Sequence, residues 1–136
     1  MLTQNTPTSS TIKAASLVVA TAITLVASPG AIAAEPVVIT FPAGENTPAS
    51  ITLLQRQGNI GRDNAFYDNY RPQVQFSAER QQVTCTVRVP QSQEKVEPGQ
   101  TAEVALNCSE KFKIRDKERS FLVFEGGRKV AVGTIK

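Results

Sequence analysis

From Val37 onward the chain is a succession of short runs in which apolar and polar residues alternate, each closed by turn-forming residues. A period of two marks a strand with one buried face, because successive side chains point to opposite sides of the backbone. Val37 to Phe41 is the first run, closed by Pro42-Ala-Gly44, and Ser50 to Leu54 is the second. Within Arg71 to Ser77, Val74 and Phe76 share a face. Val83, Cys85, Val87 and Val89 do the same within Gln82 to Val89, where Pro90 stops the run. Val104, Leu106 and Cys108 line up within Ala102 to Cys108, and Phe112 and Ile114 begin an alternation that fades into the charged stretch Arg115 to Arg119. Phe121 to Phe124 and Lys129 to Ile135 are the last two runs. Between Gln55 and Tyr70 the pattern lapses into a segment rich in Gly, Asn and Asp, which reads as a long loop. No window of helical length in this region carries a 3.6-residue apolar stripe. Strands with turn signals every ~8–12 residues predict an all-β fold, a small sandwich or barrel.

The turns are as telling as the runs. Gly126-Gly127 joins the last two strands, and a two-residue I′ loop needs positive φ at both positions, which glycine alone adopts without penalty. Pro98-Gly99 fits a type II turn for a similar reason. Gly133, inside the last run, predicts a bulge or a point where another backbone passes closely.

Upstream of Val37 the pattern changes. Residues 1–13 are polar with Lys13 the only charge, Ala14 to Ala27 is an uncharged apolar run, Ser28-Pro29-Gly30 breaks it, and Ala31-Ile32-Ala33 has small residues at the cleavage spacing. The run falls short of the ~20 residues of a membrane-spanning helix. Residues 1–33 are therefore expected to be an export signal, 34–49 a linker or first strand, and 50–136 the folded domain. The competing readings are an uncleaved anchor and a buried helix. With cleavage near Ala33, the mature chain is exported to a periplasmic, lumenal or extracellular space and has no transmembrane span.

The residues beyond that point carry 14 of the 15 basic side chains and all 12 acidic ones, so their net charge is 14 − 12 = +2. That balance does not identify a nucleic-acid partner. The chain has no His, the one side chain that titrates near neutrality unperturbed and the commonest nitrogen ligand for zinc. No set of residues is arranged for catalysis, and no cofactor or metal is expected. No G-x-x-x-x-G-K-[ST] phosphate loop occurs in the sequence, so nothing in it cradles nucleotide phosphates.

Three motifs in order (Tyr70-Arg-Pro-Gln73, Pro98-Gly99, and Glu125-Gly-Gly-Arg128 followed by Val130-x-x-Gly133) resemble the third, C-terminal domain of the elongation factor Tu / elongation factor 1-alpha family over residues 50–136. The resemblance implies a six-stranded antiparallel β-barrel. In elongation factor Tu the Glu-Gly pair of the hairpin and a lysine ahead of the last strands contact the T-stem of tRNA. The resemblance carries these roles to Glu125, Gly126 and Lys111. The family's arginine before the glutamate is Phe124 here, its following-strand glycine is Ala131, and residues 112–119 are more basic than the family's pattern.

Three groups of residues are candidates for function. Lys111, Lys113, Arg115, Lys117 and Arg119 recur every second residue, which in an extended segment puts five cations on one face. With Glu125, Gly126 and Arg128 they form a candidate site for RNA or another polyanion; the alternative is a charged strand that resists sheet-to-sheet pairing. Phe66, Tyr67 and Tyr70 are either anchors for the long loop or an exposed contact patch. Cys85 and Cys108 each lie on an apolar strand face, and in the family those strands share one barrel. They form either a disulfide, favoured in an exported chain, or two buried free thiols. Asp63, Asn64, Asp68 and Asn69 lack the spacing of a calcium loop and read as loop solvation. The function expected is an exported, non-enzymatic module that binds a protein or envelope component through residues 55–70 or the basic stripe. The alternative is a translation-related protein that keeps the tRNA-facing hairpin.

Overall fold

In the computed structural model, which describes residues 35–136, the alternating runs become ten strands. They are β1 (Val38–Phe41), β2 (Asn46–Leu53), β3 (Phe66–Tyr67), β4 (Gln73–Phe76), β5 (Val83–Arg88), β6 (Lys95–Val96), β7 (Thr101–Cys108), β8 (Phe112–Arg115), β9 (Ser120–Glu125) and β10 (Arg128–Ile135). The expected export segment and its cleavage point lie outside the described residues. Six strands close into an antiparallel barrel in the order β10-β2-β7-β5-β4-β9. Closure gives each of these strands a neighbour on both sides and so leaves no open edge. Two short ribbons, β1-β8 and β3-β6, complete the structure, and all of it falls within the single unit Pro36–Lys136.

The inward faces are the ones the alternation selects. Val74, Phe76, Cys85, Val87, Leu106 and Val123 are all essentially inaccessible. Ribbon β1-β8 is fastened by aromatic packing: Phe112 stacks on Phe41 at 5.0 Å and on Phe76 of β4 at 3.9 Å between ring centroids. Ile39 and Phe41 also pack against this core, so the other face of the ribbon looks outward.

The structure departs from the sequence reading at three places and decides between two alternatives at a fourth, Gly133. Strand β2 starts at Asn46 rather than Ser50 and runs through Pro48, so the barrel takes in the end of the segment expected to be a linker or first strand. Pro48 fits because the Lys136 amide donates to its carbonyl at 3.0 Å. Its nitrogen faces the same side, where β10 has already ended, so no ladder bond to β7 is lost. The 55–70 segment is not a plain loop. It carries bridges between Gln55 and Arg62 and between Gln57 and Ile60, and it contains β3, which pairs with Lys95–Val96. The irregularity in β10 falls between Lys129 and Ala131, not at Gly133, and both Val130 and Ala131 are buried there. Gly133 is instead the close-approach position: a Cβ there would lie 2.5 Å from the Ser50 carbonyl oxygen and inside the Phe121 ring. Finally, the run of cations does not stay extended, because β8 ends at Arg115 and the chain turns.

Candidate functional site

The β9–β10 hairpin turns on Gly126 and Gly127 at φ 59° and 80°, with open space around both, as an I′ loop requires. Glu125, at the base of the turn, does not face solvent alone. Its Oε1 accepts hydrogen bonds from Arg62 Nη1 and from the Tyr70 hydroxyl, both at 2.5 Å, while Arg128 Nη2 lies 4.0 Å from Oε2. The Arg62 guanidinium sits 5.1 Å from the Tyr70 ring centroid, and that ring stacks on Phe66 at 4.7 Å. Gly61 donates to the Lys129 carbonyl at 2.9 Å, tying the 55–70 segment to the hairpin a second time. Burial, and then the hydrogen bond to Glu125, push the Tyr70 phenol up to about 12. Arg128 Nε is buried without a hydrogen-bond partner among the described residues.

The cluster divides the aromatic trio by burial. Phe66 is buried and Tyr70 half-buried as anchors, and only Tyr67, at 57% exposure, presents a free ring surface. Arg62 was not singled out by the sequence. Its partner lies 63 positions away, so no local periodicity signals the pair.

The acidic residues of this segment are clamps. Asp68 accepts from Arg88 Nε at 3.0 Å and from the Val89 amide at 2.9 Å, and the Arg88 hydrogen bond, followed by that amide, holds its carboxyl below the usual range. Asp63 lies 3.4 Å from Arg56.

The five cations of the stripe separate into two sets. Arg115 Nη1 donates to the Ser77 carbonyl at 2.5 Å and lies 3.5 Å from Glu118. Arg119 donates to Asp116 at 2.7 Å and to the Lys136 carbonyl at 3.0 Å. These two arginines fasten the β8–β9 turn. Lys111, Lys113 and Lys117 are exposed and form no ion pair among the described residues. Lys111 directly precedes Phe112, which stacks on Phe76 opposite Phe121 at the start of β9, whereas Glu125 and Gly126 lie at that strand's other end.

Cys85 and Cys108 are directly opposed on β5 and β7 and are joined by a disulfide inside the barrel. The Ser109 amide donates to the Thr84 carbonyl, which makes Cys85 and Cys108 a non-hydrogen-bonded pair. Such pairs bring the backbones closest, and these Cα atoms are 3.9 Å apart, below the usual disulfide span of roughly 4.4–6.8 Å.

The family model described as Elongation factor Tu C-terminal domain matches residues 42–136. The chain belongs to the elongation factor Tu C-terminal domain family. The Glu125-Gly-Gly-Arg128 hairpin lies within the matched residues. Phe124, where the resemblance expects arginine, is part-buried on β9 opposite Gln73 and Lys129. Two open grooves of about 300 and 330 Å³ lie on the surface. The first is lined by Thr52–Gln55, Gln57, Ile60 and Gly99, and the second by residues between Gln75 and Leu122, with Glu79 and Glu118 its only titratable groups.

Proposed function

We propose that this chain is an exported, non-enzymatic binding module built on the elongation factor Tu C-terminal barrel. The observation that carries the reading is the Cys85–Cys108 bond, sealed inside the barrel. Structural disulfides persist in oxidising compartments and are rare where thiols are kept reduced. The apolar run Ala14 to Ala27 with Ala31-Ile32-Ala33 after it agrees with export. The Glu125 carboxylate supports a role other than tRNA binding, since Arg62 and Tyr70 already occupy it.

The second reading, an RNA-binding protein of translation, rests on the exposed Gly126-Gly127 tip, whose backbone is free to approach a phosphate. Cell fractionation with N-terminal sequencing and thiol trapping separates the two. The module reading expects envelope or extracellular protein that begins near Ala34 or Glu35 and is inert to thiol reagents until reduced. Full-length cytosolic protein with two free thiols, bound to tRNA, would overturn it.

A further inference from the structure

We propose that the outer face of the β1–β8 ribbon is a contact surface for an anionic lipid bilayer. This inference deepens the reading of the chain as an exported module that binds an envelope component, the component here being the lipid surface.

Register builds the face. Ile39 opposite Ile114 and Phe41 opposite Phe112 turn inward, so Val38 opposite Arg115 and Thr40 opposite Lys113 turn outward. No carboxylate of either strand lies on that side. Of the nearby acids, Glu118 is engaged by Arg115 and Asp116 by Arg119, and Glu110 precedes Lys111. Lys113 and the adjacent Lys111 and Lys117 form no ion pair among the described residues.

Charge bookkeeping over residues 35–136 reinforces this. Residues 110–119 hold five cations and three anions, which leaves nine of each elsewhere. The whole excess of +2 therefore resides in this segment.

The face also carries apolar surface. Val38, 49% exposed, stands on this face opposite Arg115, while Val37, 64% exposed, precedes the ribbon on the Ile39 side of the alternation. Exposed apolar side chains flanked by lysines suit the headgroup boundary of a bilayer, where both contributions add. They do not suit RNA, whose single-stranded bases are held by stacking on aromatic rings. The aromatics of this ribbon, Phe41 and Phe112, are stacked inward.

Residues 35–136 contain the whole barrel, both ribbons and the disulfide, so this segment is the one to test. Cosedimentation with phosphatidylcholine vesicles containing one third phosphatidylglycerol is expected to show binding that falls with salt. Pure phosphatidylcholine vesicles are expected to show none. Lys111→Gln, Lys113→Gln and Lys117→Gln together are expected to weaken binding about 100-fold, since each lysine at an anionic surface contributes about fivefold. Val38→Ser should weaken it further while leaving the salt dependence intact. Circular dichroism and an intact disulfide establish that each variant is folded.

The proposal is overturned by equal binding to neutral vesicles or by no binding to anionic ones. It is also overturned if the triple variant binds vesicles like wild type, or if single-stranded RNA at the same salt binds more tightly and through the same lysines. Exported protein that ignores anionic vesicles sinks this inference alone. Cytosolic protein that binds them sinks the export reading alone.

Discussion

Tyr70 and Gly133 show how much single residues decide here. The Tyr70 phenol is buried against Phe66 and donates to Glu125, so the folded protein holds its proton more tightly than the unfolded chain does. Between the ordinary value near 10 and about 12, the folded state binds more protons. The contribution is thus complete below pH 10 and is lost as pH rises through about 12. With only two tyrosines and no tryptophan, absorbance near 295 nm is expected to show one tyrosine ionising near 12. Tyr70→Phe should abolish that step and flatten the alkaline loss of stability; a step that survives the substitution contradicts the assignment. Gly133 makes a different point. Its backbone is not in the left-handed region, but a side chain there meets the Ser50 carbonyl and the Phe121 ring, neither free to move aside. Gly133→Ala is expected to cost about 1–3 kcal/mol or more by overpacking. Gly126→Ala, with open space but positive φ, should cost only about 1 kcal/mol. Urea unfolding of the two variants tests the order, and the reverse order would refute this account of Gly133.

Among the elements, the β5–β7 pair carries the covalent link, and β7 in turn pairs with β2. Because Cys85 and Cys108 are 23 positions apart, their bond restricts the unfolded chain by roughly 3 kcal/mol in the chain-entropy model. For a domain of about 100 residues, loss of that much lowers the melting temperature by more than about 10 °C. Cys85→Ser with Cys108→Ser, or reduction of the native protein, is expected to show such a drop in calorimetry. An unchanged melting temperature would mean that packing alone holds β5 to β7. The β8–β9 connection illustrates how an element can undo a sequence pattern. An i, i+2 run of cations shares a face only while the backbone stays extended. Once β8 ends, Arg115 and Arg119 fold back onto Ser77, Asp116 and Lys136, and the stripe contracts to lysines.

Across the whole molecule, every barrel strand lies downstream of Asn46, while β1 is attached only through its ribbon. Removing residues 35–41 is therefore expected to leave a cooperative unfolding transition and an intact disulfide. Losing Phe41 from the stack on Phe112 and Ile39 from its packing against the core should lower stability by about 2–4 kcal/mol. Broad, non-cooperative melting of this truncation would show that barrel closure depends on β1.

The sequence by itself determined the strands and their inward faces, because the two-residue period is a local property that backbone sterics enforce residue by residue. Val83, Cys85 and Val87 are buried as their alternation requires, and Gly126, Gly127 and Gly99 adopt the positive φ that their turns demand. It did not determine Pro48 inside β2, the pairing of β3 with β6, or the end of β8, since each depends on where another strand stops or passes. Nor did it reveal that Glu125 is held by Arg62 and Tyr70, residues 63 and 55 positions away. Those pairings exist only after the barrel closes, when register rather than sequence spacing sets which side chains meet.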